Sequence, residues 1–162
     1  KFRDDRQSNK NPKDNGVSDK TPAHVRITFK LQPDEDGYPP SDYERLWAVP
    51  LSNGRYQIDN IRFFVPLLAD GDVVTATAAA DGELFFEDIA ERSGHSTVRI
   101  FVADEGDRKN VRIALKELGC QSEGSHIKRL IAVDIPPSVD FGQLRKTLDT
   151  WSDEGVVSEN GK

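Results

Sequence analysis

The sequence predicts an α+β fold: a small N-terminal antiparallel β-sheet or open barrel, followed by a ferredoxin-like split β-α-β half. Three observations predict it. Two tight-turn signals, Asn53-Gly54 and Asp81-Gly82, punctuate alternating apolar residues over residues 24–91. At residue 97 the pattern changes to strand, helix, strand, strand, helix, strand. A chain of 162 residues with 36% hydrophobic content is enough for one domain or two very small ones. These readings divide the chain into an extension over 1–22, a β-rich half over 23–92 and an α+β half over 93–160. The halves are expected to pack as one unit, because each is marginal alone.

Residues 1–22 carry six Lys or Arg against four Asp, show neither helical nor strand period, and read as a flexible extension. In "HVRITFKLQ", Val25, Ile27, Phe29 and Leu31 alternate with Arg26, Thr28 and Lys30, the period of a half-buried strand. "PDEDGYPPSDYE" is a polar connection whose prolines prevent a regular ladder. "RLWAVPLSNGRYQID" reads as a hairpin on a type I′ turn, with Pro50 placed at an edge or a bulge because it has no N–H to donate. "DVVTATAAADGELFFEDIAER" is a second hairpin. Its Leu84-Phe85-Phe86 run is too apolar for one face and implies cover on both.

"TVRIFVAD" then reads as a strand and "DRKNVRIALKELG" as a helix with a Val111, Ala114, Leu115, Leu118 stripe, capped by Asp107 and ended by Gly119. "CQSE" is a short extended piece and "HIKRLIAVDI" a long strand, with Lys128 and Arg129 on opposite faces. The second helix, in "PPSVDFGQLRKTLDTWSDEG", has Phe141, Leu144, Leu148 and Trp151 as its stripe. Asp140 with Gln143 forms its capping box, and Val139 with Leu144 its staple. "VVSEN" closes the fold as a short strand.

The net charge of −6 argues against a nucleic-acid partner, since phosphate binding needs a concentrated positive field. The one cysteine, Cys120, fits a reducing compartment, and no apolar run reaches membrane length, so a cytoplasmic location and no membrane partner are expected. The absence of Met, with Lys1 first, suggests a natural start upstream. His24, His95 and His126 have none of the spacings of a zinc site, so neither metal nor cofactor is expected. Arg92, Ser93 and His95 form the one loop with serine and histidine donors together. Two-residue spacing does not make a dyad, however, and no third group is evident, so no catalytic residue is assigned. "YQIDNIRFFVPLLADGDVV" poses a corner of Trp47, Tyr56, Asp59 and Asn60. There the Asp and Asn side chains bond backbone groups that no ladder reaches.

Trp47, Tyr56, Asp59, Asn60, Phe63, Phe64, Gly71, Asp72, Val74, Ser93 and Gly94 together resemble a family of small, mainly bacterial proteins known as a domain of unknown function. The resemblance covers residues 24–159. It departs from the family at Arg62, where members often carry Pro, and it implies no activity, cofactor or partner. The residues therefore point to a non-catalytic protein-interaction or regulatory domain, an inhibitor or immunity-type protein being one form, with another protein as the partner. A small-molecule-binding regulatory domain is the first alternative, by fold analogy. A hydrolase-type enzyme using the 92–97 loop is the second.

Overall fold

The computed structural model describes residues 23–158; the extension expected over 1–22 lies outside them. Strands β1 (Val25–Lys30), β2 (Tyr43–Pro50), β3 (Arg55–Ile58), β4 (Val73–Ala78) and β5 (Leu84–Glu91) form a closed barrel in that order. The expected small antiparallel sheet or open barrel is corrected here to a closed barrel. Sequential neighbours are antiparallel, but β1 also pairs parallel to β5, with Ile27 opposite Leu84 and Thr28 opposite Phe85. Five up-and-down strands are an odd number, so the first and last run the same way and closure has to be parallel. Closure also removes both edges of the sheet. It explains the apolar triplet as well: Leu84 and Phe86 join the barrel core, Phe86 stacking on Phe29 at 4.8 Å, while Phe85 belongs to the outer face.

Asn53 and Gly54 both take positive φ, 61° and 67°, as the type I′ hairpin requires. Pro50 is simply the last residue of β2. The irregularities lie instead on β5, where Glu87 and Ala90 have no partner on β4. Ile27, Phe29, Leu46, Ala48, Ile58 and Val74 fill the barrel interior.

The connection from Asp59 to Asp72 carries no strand, so its backbone groups need other partners. The Glu44 carboxylate accepts the N–H groups of Phe63 (2.6 Å), Phe64 (2.9 Å) and Val65 (2.7 Å). Arg62 donates its guanidinium to the carbonyls of Val65 and Leu68 and fixes the same turn.

The second half contains β6 (Ser96–Val102), α1 (Arg108–Glu117), β7 (Gln121–Gly124), β8 (Leu130–Ile135), α2 (Phe141–Asp153) and β9 (Val157–Ser158). Its sheet has the order β7-β8-β6-β9, antiparallel throughout, and short "CQSE" supplies a true strand. Val111 and Leu115 of α1 and Leu144 of α2 bury against Ile100, Val102, Ile131 and Val133, with Leu118, Leu148 and Trp151 packed around them. The alternate side chains of the sheet turn toward the barrel, and Arg99 donates to the Phe63 carbonyl at 2.9 Å.

Three local expectations are corrected. Asp107 makes no side-chain cap bond, because a 3₁₀ turn over Glu105–Asp107 precedes α1 and the Asp104 carboxylate takes the Gly106 N–H at 2.7 Å. His126 to Arg129 form a turn rather than the start of β8: Arg129 has φ 67° and donates its N–H to Glu105 at 2.7 Å, so no basic strand exists there. Phe141 is 53% exposed at the first position of α2, outside the buried stripe. Asp140 does cap α2 through the Gln143 N–H at 3.1 Å. At the end of α1, Gly119 (φ 90°) lets the Cys120 N–H return to the Leu115 carbonyl at 3.0 Å.

Glu44→Ala leaves three partly buried N–H groups without their acceptor and is expected to lower stability by about 2–4 kcal/mol. Glu44→Gln, which keeps one carbonyl oxygen, should lose less. Urea unfolding measures both, and an unchanged midpoint for the alanine variant would mean that the connection is held by something else.

Candidate functional site

Asp72 is 1% exposed and organises the junction between the halves. Its Oδ2 accepts the Ala69 N–H at 3.0 Å and its Oδ1 the Ser93 N–H at 2.8 Å, with the Arg92 guanidinium 3.3 Å away. Ser93 Oγ donates to the Asp70 carbonyl at 2.6 Å and accepts the His95 N–H at 3.2 Å. Gly71 sits under this contact with φ 78°, and a Cβ there would lie 3.0 Å from Ser93 Cβ, so the close approach requires glycine. The Gly-Asp step and the Ser-Gly loop, distant in sequence, are therefore one corner.

On its inner side, His95 Nδ1 lies 2.9 and 3.0 Å from the two carboxylate oxygens of Asp134, a residue 2% exposed in the wholly buried strand β8. The Asp70 carboxylate completes the group: side-chain donor atoms of Asp70, His95 and Asp134 all lie within 4.8 Å of one another. Asp70 also accepts the Asn60 N–H at 3.0 Å. Burial pushes the Asp70 carboxyl above the usual carboxylate range, and the neighbouring Asp134 pushes it further. Burial raises Asp134 too, against the opposing pull of His95. Glu123 is raised by burial and, to a smaller degree, by Asp70, while Arg112 opposes the shift.

The four expected corner residues separate. Asn60 is the structural member: its Oδ1 accepts the Trp47 N–H at 3.1 Å and its amide reaches Glu123 at 3.5 Å. Tyr56 packs partly buried against the barrel core. Asp59 lies outside, 2.5 Å from His24 Nε2, and Trp47 is 43% exposed beside it. Arg92, Ser93 and His95 do converge, but the Ser93 hydroxyl is committed to the Asp70 carbonyl and does not meet the imidazole. The orienting group that the sequence reading did not find is Asp134. Its one signal in the sequence is a single charge inside the apolar run "LIAVDI".

A second surface lies on the outer side of β1 and β2. Arg26 stands opposite Trp47, Thr28 opposite Arg45, and Lys30 opposite Tyr43. The Arg26 guanidinium sits 4.4 Å over the Trp47 ring, and His24 meets that ring edge-on. Glu83 accepts from Arg45 at 3.0 Å and from Thr28 at 2.7 Å. Among the described residues, no helix is long and apolar enough to cross a membrane.

The family model described as "Domain of unknown function (DUF4265)" matches residues 44–159, most of the chain. The chain belongs to this family. The DUF4265 match takes in the junction and the whole second half, and begins after β1, the strand that closes the barrel. A solved structure described as a hypothetical protein from Neisseria gonorrhoeae shares the fold, with a TM-score of 0.65 at 21% identity, covering 85% of this chain and 91% of that one. No curated protein matches the chain.

Asn60→Ala removes the acceptor for Trp47 and the link to Glu123, and is expected to cost about 1–2 kcal/mol in urea unfolding. A separate prediction concerns pH. A carboxyl raised by folding contributes stability that is full below its unfolded pKa, about 4.3 for Glu, and lost as pH rises through the folded value. Glu123→Gln, neutral at every pH, should therefore raise the melting temperature at pH 7. The gain should vanish when both proteins are melted near pH 4; a gain constant with pH would assign it to packing instead.

Proposed function

We propose that this DUF4265 chain is a non-catalytic interaction domain that binds another protein through the outer face of β1 and β2. The observation that carries this reading is the pairing of exposed Trp47 (43%) and Tyr43 (44%) with Arg26, Arg45 and Lys30 on one stretch of barrel wall. Trp, Tyr and Arg are the residues that most often dominate binding energy at protein interfaces. They also lie on a closed barrel, whose wall is rigid before the partner arrives. The local charge, Arg26, Lys30 and Arg45 against Glu83 and Asp59, suits an acidic partner surface. An inhibitor of a basic nuclease, which the net charge alone suggests, suits this face less well.

The second half is best read as a ferredoxin-like unit. The support is its strand-helix-strand-strand-helix-strand sequence and the spatial order β7-β8-β6-β9, with both helices packed on one face. In this reading it serves as the base on which the barrel is mounted, and the contact surface belongs to the barrel.

Capture from native lysate tests the proposal. A discrete protein should be retained by the wild type and by Phe141→Ala, an exposed control on α2, and lost by Trp47→Ala. Because Trp47 is half exposed, the variant should stay folded, losing about 1 kcal/mol or less with the Arg26 contact. A partner held equally well by Trp47→Ala would overturn the assignment of the face.

A further inference from the structure

We propose that Asp70, His95 and Asp134 form a binding site for one divalent first-row transition-metal cation, clamped between the barrel and the second sheet. The three donors come from three separate elements: the β3–β4 connection, the β5–β6 connection and strand β8. Local chain geometry alone does not gather them. Asp70 is presented by the Asp72–Ser93 corner, whose hydroxyl bond fixes the Asp70 carbonyl at 2.6 Å. His95 is aimed by the same serine through its backbone N–H. Asp134 is fixed by the β6–β8 ladder, directly opposite Thr97.

Donors bound at about 2.0–2.2 Å to one cation stand roughly 3–4 Å apart. Asp134 and His95 are already 2.9 Å apart, and Asp70 lies within 4.8 Å of both, so a small side-chain adjustment completes the set. Burial separates this group from an ordinary surface cluster: Asp134 is 2% exposed, and Asp70 and His95 are each half-buried.

The donor chemistry narrows the cation. One imidazole and two carboxylates are too few oxygens for calcium and include no soft thiolate. They suit Mn²⁺ or Zn²⁺, with water filling the remaining positions. The charge fits as well, since the Asp70 and Asp134 carboxylates lie within 4.8 Å of each other, with Glu123 and Asp59 close enough to Asp70 to act on the same field. Because the ligands belong to both halves, the cation acts as a staple across the junction. This inference rests on a different set of residues from the proposed contact face and does not depend on it.

Mn²⁺ is the probe, since its free ion is read directly by electron paramagnetic resonance. Full-length chelator-treated protein titrated with MnCl₂ at neutral pH is expected to take up one Mn²⁺ per chain and to melt at a higher temperature with it. Asp70→Asn, an isosteric change at a partly exposed position, should weaken binding by about tenfold or more, and His95→Gln should do the same. Asp70→Asn decides the matter if the histidine variant does not fold. Folded wild-type protein that leaves millimolar Mn²⁺ free overturns the site, and so does an affinity that Asp70→Asn leaves unchanged.

Discussion

Two carboxylates, Glu44 and Asp72, hold the part of the chain on which everything else is hung. The connection from Asp59 to Asp72 runs between barrel strands without a ladder, yet it packs Val65, Leu68 and Ala69 out of water. Buried backbone groups without partners would offset that burial. Glu44 answers with one side chain for three consecutive N–H groups, and Asp72 bridges Ala69 to Ser93 in the next connection. Charge-assisted bonds of this kind are about twice as strong as neutral ones. They turn a loop into a rigid platform, and Asn60, Asp70 and the 92–95 segment take their positions from it.

The platform also determines how the halves meet. Each half has its own apolar cluster, one inside the barrel and one between the sheet and its helices. The polar contacts that cross between them are Arg99 to the Phe63 carbonyl, Asn60 to Glu123, and Asp70 beside His95 and Asp134, while Leu130 and Ala132, on the alternate side of β8, are fully buried. A seam built this way responds to charge. Protonation of its raised carboxyls or neutralisation by a cation relieves repulsion, whereas an apolar seam would respond to neither. The two halves are therefore coupled through electrostatics as well as through packing.

This division explains which features were legible in the sequence. The Asn53-Gly54 and Asp81-Gly82 turns, the α1 stripe and the Asp140 cap are set by residues within a few positions of one another, and their patterns read directly. Closure of the barrel was not visible, because the β1–β5 pairing joins Ile27 to Leu84 and leaves no local mark. The start of α1 after Asp107 was legible, but its cap was not, because the carboxylate that bonds a backbone N–H there is that of Asp104, at the 3₁₀ turn preceding the helix. The same limit hid the junction. Ser93 and His95 were visible as a loop, but Asp134 lies 39 positions away and Asp72 lies 21. A lone Asp inside an apolar strand was the available signal, since burying a charge demands a partner elsewhere in the fold.

Charge shows the same contrast between the sum and the site. The total of −6 does not say how charge is distributed. Acidic groups gather at the junction, where Asp59, Asp70, Glu123 and Asp134 lie in one field. Cations gather elsewhere, with Arg26, Lys30 and Arg45 on the barrel wall and Arg108, Lys109, Arg112 and Lys116 around the groove between α1 and β7. A partner meets only the face it touches, within about 10 Å at moderate salt. The same chain thus offers an anionic cluster at its junction and cationic groups on its barrel wall and along α1, and a screen for partners needs to include acidic proteins and cations alike.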